Sequence, residues 1–84
     1  MQFFFRPNAE TDLRRLPKDL QRRIIEKIVW YCSQENPLQF AKRLTDSEDL
    51  GEYRFRIGDY RAIFDIDDGA ILILHIGHRK EIYR

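Results

Sequence analysis

The chain has 84 residues, 43% hydrophobic, 13% aromatic and 35% charged, enough for one hydrophobic core and no second domain. Lysine and arginine number 15 against 14 acidic residues, a formal charge of +1, so the chain is no overtly basic nucleic-acid binder and any positive patch must be local. The single Cys32 excludes an internal disulfide, Cys32 with His75 and His78 cannot complete a usual four-ligand zinc site, and no apolar run approaches the ~20 residues of a membrane span.

Residues 2–6, aromatic and closed by Pro7, predict an opening strand. The first six residues lack the basic region, apolar stretch and small-residue cleavage site of a secretory signal, so a cytoplasmic protein is expected. Asn8 is placed to cap a helix running to Leu16, with Glu10 and Asp12 near its start, where the helix dipole favours acids, and Pro17 to end it. A longer helix is expected over residues 17–35, because Leu20, Ile24, Ile28 and Tyr31 recur at three- and four-residue spacing with Ile25 and Cys32 beside them. Cys32 on that apolar side reads as a buried thiol without chemistry. Trp30 falls on the opposite side among Arg23, Glu26 and Lys27, as a partner anchor or as a contact for the segment after Pro37. Residues 37–51 give a weak signal: Phe40 and Leu44 suit a short helical turn, and residues 45–49 read as polar loop.

After Gly51 the apolar period changes to two. Tyr53, Phe55 and Ile57 alternate with Arg54 and Arg56, Gly58-Asp59 forms a turn, and Tyr60, Ala62, Phe64 and Ile66 alternate with Arg61, Ile63, Asp65 and Asp67. Asp68-Gly69 turns the chain into residues 70–76, apolar throughout as in a central strand. These elements predict an α+β fold with an N-terminal strand and two helices packed on one face of a mostly antiparallel four-stranded sheet.

Side chains two apart share a face, so Tyr53, Phe55, Ile57, Tyr60, Ala62, Phe64 and Ile66 are expected to meet the helices, with Leu72, Leu74 and Ile76. Ile71, Ile73, His75, Gly77 and Arg79 then point outward. Arg54, Arg56, Arg61 and Arg79 thereby converge on the other face. Such arginines are often only solvated and paired with a carboxylate such as Asp65 or Glu81. Asp65 and Asp67, however, fall at the far end of their strand from Arg61. Guanidinium forks match phosphate oxygens two at a time, which points to a phosphodiester backbone. His75, in mid-strand, reads as a packed or solvated sheet residue.

The run Tyr53-Arg54-Phe55-Arg56-Ile57-Gly58-Asp59-Tyr60-Arg61-Ala62-Ile63-Phe64, followed by Ile76-Gly77-His78-Arg79-Lys80-Glu81-Ile82-Tyr83-Arg84, resembles the RelE branch of the RelE/ParE toxin superfamily. A basic-x-basic strand, a Gly-x-Tyr-Arg turn and a terminal Gly-His-Arg with a following tyrosine occur together in order. The resemblance implies a single RelE-like domain over residues 1–84, and a ribosome-dependent endoribonuclease that cuts messenger RNA and inhibits translation without metal or other cofactor. It implies a RelB-like antitoxin as partner, the toxin alone being a monomer and a hetero-oligomer with that antitoxin; the ribosome with its message is the other partner, and no membrane is involved. Five positions carry over: Arg56, Arg61, Arg79 and Tyr83 as the expected catalytic residues and Arg54 as a substrate-binding one; His78, outside that set, is added as a second candidate for substrate binding.

Many RelE-like proteins carry lysine where this chain has Arg54 and Arg56; arginine stabilises phosphate charge and is a poor proton acceptor. His78 is the one nearby imidazole, a side chain suited to proton transfer, yet strict alternation turns it away from the face of Arg79. Tyr83 could stack on a base or anchor the C-terminal segment. The alternatives are a ParE-like gyrase-directed toxin, a non-catalytic relative that only binds its antitoxin, and a generic RNA-binding module. Because Arg61 points away from the helices, its replacement is expected to cost little stability.

Overall fold

Pro7 fixes the start of the first helix. The computed structural model of the chain describes residues 1–45 and 50–83. Strand β1 (Phe3–Phe5) leads into α1 (Pro7–Arg14), with Pro7 in the first turn and Arg6 as N-cap. The preset φ of proline suits a first helical turn. Asn8 therefore lies inside the helix and does not cap it. Helix α2 (Lys18–Cys32) buries Ile24, Ile28, Tyr31 and Cys32 and ends earlier than the expected residue 35. Ser33 Oγ and Gln34 Nε2 both donate to the Trp30 carbonyl, at 2.7 and 2.9 Å, and such side chains compete with further helical bonds.

A 3-10 turn (Pro37–Phe40) follows, then β2 (Ala41–Arg43), β3 (Tyr53–Ile57), β4 (Tyr60–Asp67) and β5 (Ala70–His78). The loop expected at Asp46, Ser47, Glu48 and Asp49, and the terminal Arg84, lie outside the described residues. The sheet has five strands rather than the expected four, in the order β1-β5-β4-β3-β2. β1 pairs with β5 in parallel, and the other pairs are antiparallel. The unexpected strand is β2, whose Lys42 and Arg43 are exposed and supply no apolar alternation.

Both helices contribute to one core with the sheet: Ala9 and Leu13, Ile24, Ile28, Tyr31 and Cys32 meet Phe55, Ala62, Phe64, Ile71, Ile73 and Ile76. Aromatic rings run through it as a column. Tyr31 stacks on Phe55 at 4.4 Å, Phe55 on Phe64 at 4.4 Å, and Phe64 on Tyr53 at 5.5 Å. Burial raises the proton affinity of the Cys32 thiol, against the pull of the nearby N-terminal ammonium. That thiol is packed and unreactive in character.

Strand β5 departs from alternation. Phe64 pairs with Ile73 and Ile63 with His75, so Leu74 is an extra residue, a β-bulge. Ile71 and Ile73 consequently face the helices with Ile76, while Leu72 and Leu74 turn to the other face, the reverse of the expectation for those four residues. An all-apolar run carries no parity from which to detect this shift.

The bulge supplies part of a second small cluster on the far face. A Cβ added to Gly51 would lie 2.7 Å from Ile63 Cγ2 and 3.0 Å from Leu74 Cδ1, and Gly51 has φ +152°. Gly51→Ala is expected to destabilise the protein by about 1–3 kcal/mol through overpacking, seen as a melting temperature several degrees lower; an unchanged melt would show that the loop lifts off the sheet freely. Beyond Phe5, where β1 stops pairing, α1 takes over the edge of β5: Asp12 Oδ2 accepts the Ile76 N–H at 3.0 Å. Asp12→Ala leaves that partly buried donor unpaired and should cost about 1–3 kcal/mol by thermal melting, with Asp12→Asn losing less.

Candidate functional site

Phe55 faces the core on β3, and Ala62 and Phe64 do so on β4, so the pleat sends Arg54, Arg56 and Arg61 to the opposite face. The register sets Arg56 directly across from Arg61. Arg61 is only 8% exposed, and its Nη1 donates to the carbonyls of Gly58 and Tyr60, each at 2.9 Å. Two carbonyls of the β3–β4 turn therefore fix the plane of the guanidinium. The expectation that Arg61 contributes little to stability is corrected: it is buried and ties down the turn.

The proton affinity of Arg61 is lowered, chiefly by burial and then by the charge of Arg54, with Arg56 and Arg79 adding to it; Tyr83 acts in the other direction. Three other guanidinium groups are thus close enough to be felt at Arg61. Arg79 is held by the same turn. Its N–H donates to the Asp59 carbonyl at 2.8 Å, and its Nε lies 3.5 Å from Asp59 Oδ1 in an exposed ion pair. Asp65, one of the two acids proposed as an arginine partner, instead accepts the Glu52 N–H at 2.8 Å. Among the described residues, Arg54, Arg56 and Arg61 have no carboxylate within ion-pair distance.

Arg54, Arg61, Arg79 and Tyr83 line one cleft of about 510 Å³ together with Lys42, Arg43, Leu44, Thr45 and Lys80. Six of these side chains are cationic, and no acid appears among the described lining residues. A chain of net charge +1 has gathered six cationic side chains at one place. Lys42, Arg43 and Lys80 were missed by sequence reasoning. Only the pairing of Lys42 with Arg54 across β2 and β3 could have revealed the first of them.

Two of the expected residues stand apart. Arg56 is on the same face but exposed beside the cleft rather than lining it. His78 is paired with Tyr60, packs edge-on against its ring at 5.4 Å and accepts the Lys80 N–H at Nδ1. That is the helix side of the sheet, as alternation foretold. His75 lies near Asp12, with Nδ1 4.0 Å from the carboxylate. Trp30 is 44% exposed, with Phe40 edge-on at 5.2 Å and Lys27 Nζ 4.4 Å above its ring, so the segment after Pro37 does pack on it.

The family described as "ParE toxin of type II toxin-antitoxin system, parDE" matches residues 3–83. The chain is 35% identical over 82 residues to "Toxin RelG" of Mycobacterium tuberculosis, covering 95% of this chain and 92% of the relative. It is 36% identical over 78 residues to "Toxin RelE" of the same organism, covering 90% and 78%. Among solved structures, a chain of the toxin-antitoxin complex RelBE2 from Mycobacterium tuberculosis superposes with a TM-score of 0.78 at 32% identity, covering 93% of this chain and 96% of that one.

Proposed function

The chain belongs to the ParE toxin family of type II toxin–antitoxin systems, within the RelE/ParE superfamily, and from that premise we propose that it cuts messenger RNA on the ribosome and is held inactive by an antitoxin. The observation that carries the reading is a cleft with six cations and no acid among its described lining residues, one of them Arg61, pinned by two carbonyls of the turn. Cleavage next to a 2′-hydroxyl requires a proton acceptor, stabilisation of the crowded phosphorane, and a donor for the leaving 5′-oxygen. Arg61 and Arg79 serve the second need: their turn-held guanidinium groups present charge without reorganising during the reaction. Tyr83 at the cleft wall offers a phenol to the leaving oxygen. Arg54 and Arg56 grip flanking phosphates.

The names of the relatives, RelG and RelE toxins, favour RNA cleavage over action on gyrase. An antitoxin partner is supported by the solved relative, which is a toxin-antitoxin complex. With a net charge of only +1, the ribosome supplies affinity and position that a weak overall field does not. Induced expression should arrest growth and leave discrete cuts in translated messages, with naked RNA intact. Normal growth with whole messages would overturn the reading. The family is that of the ParE toxin, and loss of gyrase supercoiling in the presence of the purified protein would establish that second reading instead.

A further inference from the structure

We propose that Lys42 takes the proton from the attacking 2′-hydroxyl, a role that rests on the endonuclease reading above. The reaction needs one group in the cleft that can be neutral and accept a proton. Arg43, Arg54, Arg61 and Arg79 do not qualify, because a guanidinium is not deprotonated in proteins. Arg56 fails on the same ground, and His78 lies on the other side of the sheet against Tyr60. Of the ionisable side chains among the described residues that line the cleft, Lys42, Lys80 and Tyr83 remain.

Position separates the three. Displacement at phosphorus sets the entering and leaving oxygens on opposite sides of the phosphate. The sheet order runs from β5 through β4 and β3 to β2, so a phosphate seated on Arg61 of β4 has Lys42 on one flank and the segment after β5, with Lys80 and Tyr83, on the other. The Leu44 N–H donates to the Glu52 carbonyl at 2.8 Å, and the alternating phase of an antiparallel ladder then makes Lys42 and Arg54 a hydrogen-bonded pair. Lys42 is thus mounted on a strand directly across from Arg54. Lys80 sits in a turn beyond the end of β5. Lys42 supplies from the neighbouring strand what an arginine at position 54 withholds.

The step balances as follows. The 2′-oxygen bonds to phosphorus as its proton passes to Lys42 Nζ; the bond from phosphorus to the 5′-oxygen breaks, and its electron pair leaves with that oxygen, which takes the proton of the Tyr83 phenol. The products are a 2′,3′-cyclic phosphate and a 5′-hydroxyl.

The test is single-turnover cutting of a message on programmed ribosomes by the wild type, Lys42→Arg and Lys42→Ala. Lys42 is exposed, and arginine keeps its charge, so Lys42→Arg should melt at the wild-type temperature and half-saturate at the wild-type concentration. Its maximal rate should fall about 10²-fold or more. Added ethylamine should restore part of the rate to Lys42→Ala and none to Lys42→Arg. A Lys42→Arg protein cutting within about twofold of wild type would leave the endonuclease reading standing and make Lys42 a phosphate anchor, overturning the assignment. The same loss in Lys80→Arg but not in Lys42→Arg would also overturn it. A wild type that leaves the message whole on the ribosome removes both claims together.

Discussion

Arg61→Ala should slow single-turnover cleavage of a ribosome-bound message by about 10²–10³-fold, the effect of deleting one preorganised donor at a developing oxyanion. The same change truncates a residue that is 8% exposed and removes its guanidinium bonds to the carbonyls of Gly58 and Tyr60. A folding cost of about 1–3 kcal/mol follows from losing charged hydrogen bonds in a partly buried setting. Activity and stability therefore fall together, and the two must be measured on the same sample. Thermal melting below the wild type with the rate reduced by less than tenfold would make Arg61 a structural clamp rather than a catalytic group. Arg61→Lys restores the charge but not the fork, so it should recover more stability than rate.

Phe55→Ala should be the most damaging core substitution. Phe55 is fully buried between Tyr31 and Phe64, with ring centroids 4.4 Å away on each side. Truncating a buried phenylalanine costs about 3–5 kcal/mol, and the lost ring contacts fall on both neighbours. At roughly 0.05–0.15 kcal/mol per residue, 84 residues carry about 4–13 kcal/mol, so the loss is about a quarter or more of the total. The melting temperature should drop by more than about 12 °C. A drop below about 5 °C would show that the column closes around the gap. Phe55→Leu should fall between the two, since it keeps most of the volume.

The hairpin of β3 and β4 was legible because Tyr53, Phe55, Ala62 and Phe64 alternate with Arg54, Arg61, Ile63 and Asp65, mostly polar, and period two leaves one choice of inward face. That choice also oriented Arg54, Arg56 and Arg61 correctly. β2 was not legible: a three-residue edge strand with Lys42 and Arg43 exposed has neither length nor alternation to signal it. The consequence was a cleft wall left out of the reading. In β5 the error came from chemistry rather than length, since Ile71, Leu72, Ile73 and Leu74 are interchangeable in pattern and only the pairing with Ile63 and Phe64 exposes the inserted residue. The bonds from Arg61 to Gly58 and Tyr60 were hidden for another reason: a backbone carbonyl looks the same in every sequence.

The tip of that hairpin carries both turn-held arginines at once. Gly58 takes a left-handed φ of +59°, its carbonyl receives Arg61, and the next residue, Asp59, receives Arg79 through both carbonyl and carboxylate. Mechanically this is a shared hinge pin, with two tools mounted on two exposed residues. A ligand that tilts the tip need not enter the cleft or compete with RNA to disarm it. Displacing two adjacent residues misaligns both guanidinium groups in a single motion, so inhibition by that route would be noncompetitive and abrupt.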